Sequence, residues 1–293
     1  MIDITTLFSE VVSIDNSRGR NDRFTYAKVR RGDGLYFVKR ANKPSLRINL
    51  QREQLWADFM RWVASEYPRA HLWSPKLIEY IDENTILFEF CPLEHLSDGA
   101  DLQAWRDCLP RYAQMLCDLD EAACEWTPSF TLDESRSDDI DSIWRGWLGE
   151  HHKRVIRYDE ALARALSYKS GLTRTMQHGD LTPWQIFKDG DEWVIYDGER
   201  SGIDLFRYND LAYGYGRLYT KLRSPKTASV LLREFILRHS RSRQEFMQEF
   251  LPVLLGRAMS MLSDAYHDAP ENDYVQYAEQ LLELCLAEDV EKL

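Results

Sequence analysis

Long apolar runs are missing from this 293-residue chain, and none approaches the roughly 18–20 residues that a membrane-spanning helix needs. Residues 1–6 also lack the basic region and the long apolar core of a secretory signal. Cysteine is scarce, with five residues, an odd number, and no C-x-x-C pair, which argues against a disulfide framework or a zinc module. These absences predict a cytoplasmic protein with no membrane partner.

Positive charge is also in deficit. The chain carries 37 Lys and Arg against 48 Asp and Glu, a net charge of −11, which argues against a generic nucleic-acid binder. Residues 1–90 hold 14 Lys and Arg against 12 Asp and Glu, whereas residues 91–293 hold 23 against 36. The first part therefore tolerates an anionic nucleotide and the second favours a cationic partner. The alternative is that acidic surface only maintains solubility.

A glycine-rich GxGxxG loop is absent as well, because the polar turn at residues 17–22 has a single glycine. The alternation that follows predicts strands at residues 24–30 and 35–39, joined by a hairpin turn at residues 31–34, and Lys39 ends the second strand. Residues 49–63 have the apolar spacing of an amphipathic helix, which carries Glu53. A strand lysine followed by a helix glutamate is the ion pair that holds a lysine over nucleotide phosphates. Taken alone, Lys39 has the alternative of a solvent-exposed lysine on an edge strand.

Two carboxylates frame the segment at residues 177–200. Asp180 lies in a turn marked by Gly and Pro, and Asp197 follows an apolar run at residues 193–196 that predicts a short buried strand. A tight-turn signal precedes this run, so we expect a loop, a strand, a turn and a second strand. Two acids beside an amide, Gln185, suit a base and a metal site for phosphoryl transfer from Mg-ATP. For each acid alone, the alternative is a loop cap or a salt bridge.

A family resemblance appears in this segment. The letters HGDLTPWQ at residues 178–185 resemble the HGDLxPxN catalytic loop of aminoglycoside phosphotransferases and choline kinases, relatives of the protein kinases. The letters DGE at residues 197–199 stand where that family has Asp-Phe-Glu or Asp-Trp-Glu, and DLA at residues 210–212 resembles its downstream Asp-Leu-Ala. The resemblance implies an α+β, two-lobed, protein-kinase-like fold. Residues 1–91 would form a small strand-rich nucleotide-binding lobe, and residues 92–293 a large helical lobe with the catalytic loop and acceptor site.

The resemblance also implies roles for individual residues. Asp180 would be the catalytic base, Lys39 and Glu53 would hold the nucleotide, and Asp197 would bind Mg²⁺. The family has Asn where this chain has Gln185, whose amide lies one methylene farther out. Gln185 would either coordinate the metal after a slight adjustment of the loop, or be replaced by a water with weakened or lost activity.

Three further positions have expected roles in or beside this site. Glu199 would point to the same side as Asp197 in an extended segment and supply another metal ligand, the alternative being a surface charge. His178 and Asp210 are expected to brace the catalytic loop rather than to move protons.

Adenine recognition is expected where the strand predicted at residues 85–90, paired with one at residues 74–81, runs into Phe90, Cys91 and Leu93. Pro92 lacks an N–H group, so Cys91 or Leu93 is the expected backbone donor.

From residue 101 onward the sequence predicts helices. They cover residues 101–109, 110–125 with Pro110 at the start, 138–167, 208–222, 226–239, 242–265 and 272–288. No Ala-Pro-Glu motif follows Asp197, which favours a small-molecule acceptor over a protein. Trp144, Trp147, Asp141 and Tyr213 are candidate walls for a cationic acceptor, the alternative being that the tryptophans are core.

The sequence therefore predicts a phosphotransferase, with ATP or GTP as donor and Mg²⁺ as cofactor. The acceptor would be a hydroxyl of a small molecule, cationic in one version of the hypothesis, and the protein would be a monomer or a homodimer. The main alternative is a nucleotide-binding regulatory protein of the same fold that is weakly active or inactive. A protein-directed kinase is a third hypothesis.

Overall fold

The computed structural model describes residues 4–8, 10–15, 23–96, 101–132, 139–168, 171–268 and 273–287. The strands are β1 (Glu10–Asp15), β2 (Phe24–Arg31), β3 (Gly34–Ala41), β4 (Leu72–Trp73), β5 (Leu77–Asp82), β6 (Thr85–Glu89), β7 (Glu94–His95), β8 (Arg174–Gln177), β9 (Ile186–Asp189), β10 (Glu192–Ile195) and β11 (Gly202–Phe206). The helices are α1 (Ile4–Leu7), α2 (Arg47–Glu66), α3 (Leu102–Glu125), α4 (Ile140–Leu148), α5 (Tyr158–Tyr168), α6 (Asn209–Tyr219), α7 (Pro225–Arg238), α8 (Arg243–Asp268) and α9 (Asp273–Ala287). The turn predicted at residues 17–22 falls outside the described residues.

The chain divides into two compact units. The first consists of Met1–Leu96, Trp126–Glu134 and Trp184–Ser201, and the second of Ser97–Glu125, Ser135–Pro183 and Gly202–Leu293. Most described strands belong to the first unit, and the helices from α3 onward belong to the second. The α+β class, with a strand-rich N-terminal region and a helical C-terminal region, is thus confirmed. The lobe boundary at residue 91 stays a prediction.

An antiparallel sheet in the order β1-β2-β3-β6-β5 organises the first unit. Helix α2 packs on one face, where Leu50 joins a buried cluster with Phe24 and Ile86. The other face buries Val38 with Ile4 of α1. Because both faces are covered, the central strand β3 is a site where a charged side chain needs partners. The hairpin predicted from residues 24–39 is confirmed, since β2 pairs with β3 along its whole length.

A second sheet of the first unit has the order β4-β10-β9-β7. Strands β9 and β10 form the tight hairpin expected inside residues 177–200, with Ile186 paired to Ile195. Beyond this last pair, the Tyr196 N–H donates to the Gln185 carbonyl oxygen at 3.1 Å. The hairpin therefore brings Gln185 and the residues after Tyr196 to one end.

Two predictions about the helices of the second unit were wrong. Helix α3 runs unbroken through Pro110, where we expected two helices. Proline removes one backbone hydrogen bond, but the side chains of Leu109 and Tyr112, close to it in the helix, are buried. Their packing outweighs the lost hydrogen bond. The single helical pattern at residues 138–167 is interrupted. Helix α4 ends at Leu148, the next residue Gly149 has φ +52, and a 3₁₀ turn (Gly149–Arg154) leads toward α5.

Helices α6 to α9 lie where they were predicted, with ends shifted by up to three residues. Across the described ranges, no helix combines the length and the hydropathy needed to cross a membrane. In the same unit, β8 and β11 pair antiparallel, and β8 leads directly into the turn that carries Asp180.

Candidate active site

Lys39 lies at the centre of a charged cluster in the first unit. Its side chain is 2% exposed. The ammonium forms an ion pair with Glu53, and lies 3.0 Å from Asp197 Oδ1 and 2.9 Å from Glu199 Oε2. The predicted ion pair with Glu53 is present. The alternative of a solvent-exposed edge-strand lysine is wrong, because β3 is flanked by β2 and β6.

The register of the sheet explains this placement. Lys39 stands between Tyr26 of β2 and Ile86 of β6, and its ammonium lies 4.6 Å from the centre of the Phe24 ring. The side chain thus points to the face on which α2 packs, where Glu53 is also buried. A buried ammonium needs close opposite charge, and the carboxylates supply it.

Burial and charge oppose each other within the cluster. Burial alone would lower the pKa of Lys39, but Asp197, Glu53 and Glu199 hold that pKa well above its ordinary value. Burial raises the pKa of Glu53, and the Lys39 charge counteracts the rise. Arg23 adds a second cation, 3.0 Å from Glu199 Oε1. Three carboxylates against two cations leave the cluster able to accept a further positive charge.

A metal ion is the group that such a cluster suits. Glu53, Asp197 and Glu199 each offer an oxygen, and the three atoms lie within 4.8 Å of one another, which no other acidic, His or Cys trio of the described chain matches. Carboxylate oxygens are the ligands that Mg²⁺ prefers. The Asp197 side chain is 46% exposed, so the cluster is accessible from one side. The donor set therefore fits Mg²⁺.

Glu199 reaches the cluster by a different route from the one expected. Asp197 has φ +65, in the left-handed region, and Gly198–Arg200 form a 3₁₀ turn, so the segment is not extended. Both carboxylates still contact Lys39. Glu199 is 7% exposed and accepts a hydrogen bond from Arg23, so the surface-charge alternative is wrong.

Gln185 ends the 3₁₀ turn Pro183–Gln185 that precedes β9. Its backbone is held by the hairpin, through the bond from the Tyr196 N–H. The last residue pair of the hairpin is Ile186 with Ile195. Gln185 precedes Ile186 and Asp197 follows Ile195 by two residues, so both lie at the same end of the hairpin. Its role as a metal ligand stays a prediction.

The three predicted adenine-binding residues lie at the end of β6. The Phe90 N–H donates to the Leu35 oxygen at 3.4 Å, and the Leu93 N–H donates to the Cys91 oxygen at 3.0 Å. Lys28 places its ammonium 4.0 Å from the centre of the Phe90 ring. Because the N–H groups of Phe90 and Leu93 form hydrogen bonds within the chain, the Cys91 N–H is the better candidate for a hydrogen bond to adenine.

The loop of Asp180 belongs to the second unit. Asp210, in the first turn of α6, accepts the N–H groups of His178 at 2.7 Å and Gly179 at 2.8 Å. His178 is fully buried, and its Nδ1 accepts the Asp180 N–H at 3.4 Å. Arg257 donates to the Gly179 oxygen at 2.9 Å. These bonds hold the loop backbone, which is the bracing expected of His178 and Asp210.

The proposed cation-binding wall is largely occupied by other contacts. Trp144 is 3% exposed and belongs to the core, as the alternative interpretation of the tryptophans predicted. Asp141 is ion-paired with Arg145 at 2.8 Å, and the Tyr213 ring already contacts two guanidinium groups, each 4.8 Å from its centre. Trp147 is exposed at 41%.

Sequence reasoning missed several residues that contact the candidate residues across long sequence separations. In the first unit, Arg23 contacts Glu199, and Trp56 contacts Gly198. In the second unit, Arg257 contacts Gly179, and no local motif marks any of the three.

No protein-family model and no curated protein sequence matches this chain. Solved structures do. The choline kinase LicA from Streptococcus pneumoniae is similar over 97% of this chain and 96% of its own, with a TM-score of 0.60 and 15% identity. A thermostable mutant of the aminoglycoside phosphotransferase APH(4)-Ia, in a ternary complex with ADP and hygromycin B, is similar over 97% and 96%, with a TM-score of 0.59 and 12% identity.

The amicoumacin kinase hAmiN, in complex with AMP-PNP, Ca²⁺ and Ami, is similar over 96% of this chain and 89% of its own, with a TM-score of 0.62 and 10% identity. At such identities the likeness is one of fold. The chain therefore has the protein-kinase-like fold of these small-molecule kinases, as the resemblance implied.

Proposed function

We propose that this protein is a phosphotransferase that moves the γ-phosphoryl group of ATP, with Mg²⁺, to a hydroxyl of a small molecule. The observation that carries the proposal is the buried ion pair of Lys39 with Glu53, together with Asp197 and Glu199 around the same ammonium. Structures of the same fold contain ADP, AMP-PNP and Ca²⁺, which supports nucleotide and metal use. GTP is the alternative donor.

Lys39 would contact the nucleotide phosphates, and Glu53 would keep its ammonium in place. Asp197 and Glu199 would hold Mg²⁺, with the amide oxygen of Gln185 as a third ligand. The metal, when bound, would neutralise charge on the phosphates. The Cys91 N–H would hydrogen-bond adenine, in a segment that includes Phe90 and Leu93.

Asp180 would accept or orient the proton of the acceptor hydroxyl as its oxygen attacks phosphorus. The bonds that hold residues 178 and 179 keep the backbone of this turn fixed, so that the carboxylate needs no reorganisation. A cationic acceptor is supported by the acidic balance of residues 91–293 more than by the aromatic residues. We expect a cytoplasmic monomer or homodimer without nucleic-acid or membrane partners.

The test is transfer of label from [γ-³²P]ATP with MgCl₂ to choline, ethanolamine, hygromycin B and a wider panel of small alcohols. The wild-type protein should label at least one acceptor. Asp180→Asn should lower turnover by about 100-fold or more, because a positioned base contributes about that much. ADP affinity, measured by calorimetry, should change by less than about twofold, because the nucleotide contacts are elsewhere. Near-normal turnover in this variant would remove Asp180 from the mechanism.

A nucleotide-binding regulatory protein is the second candidate, and Gln185 in place of the family's Asn is the observation that favours it. ATP binding that is independent of Mg²⁺, without transfer to any acceptor, would support this candidate. Label on the protein itself or on generic protein substrates would instead support a protein-directed kinase.

A further inference from the structure

Both carboxylate oxygens of Glu199 are in contact with cations of the first unit. The Lys39 ammonium donates to Oε2 at 2.9 Å, and the Arg23 guanidinium donates to Oε1 at 3.0 Å. A divalent cation that takes a Glu199 oxygen as ligand therefore meets a positive charge at either oxygen. Because like charges repel strongly at such distances, the metal must displace one of the two side chains.

Arg23 is the cation that can leave Glu199. Its side chain is 34% exposed, whereas that of Lys39 is 2% exposed. Lys39 also has Glu53 and Asp197 as partners, so it stays paired at its place in the sheet. Water can solvate a guanidinium that is released at an exposed position, but a buried ammonium has no such compensation. A metal ion at Glu199 should therefore take the place of Arg23.

Only the side chain of Arg23 needs to move in this exchange. Its carbonyl oxygen accepts the Asn42 N–H at 2.9 Å, and the next residue, Phe24, is paired within the sheet. The Arg23 guanidinium lies 5.2 Å from the centre of the Phe24 ring, and the Lys39 ammonium lies 4.6 Å from the same centre. The two cations thus share one ring and one carboxylate, so a phosphate group that reaches Lys39 is also close to Arg23.

A guanidinium at this position suits a phosphate group as its next partner. Its forked N–H donors can bind two phosphate oxygens at once. Residues 17–22, directly before Arg23, contain one glycine and no GxGxxG pattern, which is the pattern of a loop that covers nucleotide phosphates. The side chain of Arg23 would supply charged donors where such a loop supplies glycines.

We propose that Arg23 is a phosphate-binding residue that pairs with Glu199 in the nucleotide-free protein and moves to the phosphates when Mg²⁺ and nucleotide bind. This inference rests on the proposed binding of nucleotide and metal at the Lys39 cluster. In the exchange, the metal replaces the guanidinium at Glu199 and the phosphates receive the guanidinium, so each charge keeps an opposite partner. Arg23 therefore makes the metal and the nucleotide bind cooperatively, because each relieves a cost of binding the other.

The experiment compares Arg23→Gln with wild type as the full chain in two binding measurements. Electron paramagnetic resonance of added Mn²⁺, without nucleotide, measures the metal affinity. It should rise about fivefold, because the metal no longer has to break an ion pair. Calorimetry with ADP at saturating Mg²⁺ measures the nucleotide affinity. It should fall about tenfold, because a charge-assisted hydrogen bond to phosphate is lost. A purely structural role of Arg23 would weaken both.

Two further variants serve as controls. Arg23→Lys keeps the charge without the fork, so Mn²⁺ affinity should stay within about twofold of wild type and ADP affinity should fall only about threefold. Arg61 is 63% exposed and pairs with Asp58 at 2.8 Å, outside the cluster. Arg61→Gln removes the same charge from the first unit and should leave both affinities within about twofold of wild type.

A Mn²⁺ affinity that is unchanged or weakened in Arg23→Gln would overturn the inference, and so would an unchanged ADP affinity. Wild-type protein that binds no ADP would overturn it as well. Neither binding measurement needs an acceptor. A failure of the proposed phosphotransfer would therefore be seen separately, as a lack of labelled product with wild-type protein that still binds Mn²⁺ and ADP.

Discussion

Gly198 and Trp56 are in contact without any space between them. A Cβ added at Gly198 would overlap the Cβ of Trp56 and lie 2.6 Å from its Cγ. The motif that residues 197–199 resemble has Phe or Trp at position 198. In this chain the side chain of Trp56, from α2, fills the space beside Gly198. The same helix donates from Asn49 to the Glu199 oxygen at 3.0 Å and from Arg52 to the Ser201 oxygen at 2.7 Å.

These contacts recur at positions i, i+3 and i+7 of α2, through Asn49, Arg52 and Trp56, and Glu53 lies beside them. The helix is therefore attached to residues 198–201 along one face. As a result, the carboxylates of Glu53 and Glu199 keep a fixed spacing around Lys39.

Gly198→Ala should destabilise the first unit by about 1–3 kcal/mol, the usual cost of overpacking. The Cβ of Trp56 is fixed to the helix backbone, so relief requires that α2 shifts. Urea denaturation followed by tryptophan fluorescence measures the loss. The variant should also bind ADP more weakly, because Glu53 moves with the helix.

Gly146→Ala is the matched control, because Gly146 lies inside α4 and a Cβ there meets no atom within 4 Å. The change should stabilise the protein by about 0.5–1 kcal/mol through helix propensity. A Gly198→Ala variant as stable as wild type would mean that α2 is not held against residue 198.

Lys39→Met should destabilise the protein by about 3–5 kcal/mol near neutral pH, because it leaves three carboxylates around an uncharged side chain. Without the lysine, burial and the charge of the neighbouring carboxylates raise the pKa of Glu53 further above its ordinary value. The folded variant then binds more protons than the unfolded chain, so its stability falls as pH rises through the raised pKa of Glu53.

The cost of Lys39→Met should therefore be larger at pH 8 than at pH 5, as measured by urea denaturation at both values. In wild-type protein the stability from Lys39, whose pKa is raised, is complete below its unfolded pKa of about 10.4, so it stays constant over this interval. Lys76→Met, at an exposed position, should change stability by less than about 0.5 kcal/mol at either pH. A cost that is equal at pH 5 and pH 8 would contradict the charge argument.

Local patterns in the sequence were enough to predict much of the fold and the ion pair at the centre of the charged cluster. Alternation and turn residues predicted the β2–β3 and β9–β10 hairpins, and the order of strand and helix predicted the ion pair of Lys39 with Glu53. Each hairpin prediction depends on residues that are close together in the chain. The prediction of the ion pair depends on the known pairing of a strand lysine with a glutamate of the following helix.

What could not be predicted depends on packing between distant residues. Arg23 and Glu199 are 176 positions apart, and nothing in either neighbourhood indicates their ion pair. The left-handed backbone of Asp197 decides the direction of Glu199, and an aspartate carries no reliable signal for that conformation. Pro110 misled the prediction because its local cost is offset by burial that only the folded chain provides.

Glu199→Gln should weaken binding of a divalent cation by about tenfold, because a charged oxygen ligand becomes a neutral one. The amide oxygen still accepts a hydrogen bond from one of the two cations, Lys39 or Arg23, although the NH₂ group cannot accept from the other. Lys39 also keeps Glu53 and Asp197 as partners, so the fold should be kept. Electron paramagnetic resonance of added Mn²⁺, in the presence of ADP, measures the affinity.

Glu94→Gln is the control for this experiment, since it removes the same charge from an exposed position of the first unit. It should leave Mn²⁺ affinity within about twofold of wild type. Equal affinities in the wild-type and Glu199→Gln proteins would exclude Glu199 from the metal ligands.

Gln185→Asn should strengthen Mg²⁺-dependent nucleotide binding by about tenfold, about 1.4 kcal/mol. The reason is that the backbone is held in place at this position. The backbone carbonyl oxygen of Gln185 accepts a hydrogen bond from the Tyr196 N–H, and Ile186 pairs with Ile195. Because the backbone of this hairpin cannot shift to make room for an extra methylene, a glutamine amide fits the octahedral geometry of Mg²⁺ less well than an asparagine amide.

Calorimetric titration with ADP at several Mg²⁺ concentrations measures the change, and Gln248→Asn, at an exposed position of α8, is the control. If Gln185→Asn weakens the Mg²⁺ dependence instead, then the metal position in this protein is built for the longer side chain, and the inactive-protein hypothesis loses the observation on which it depends.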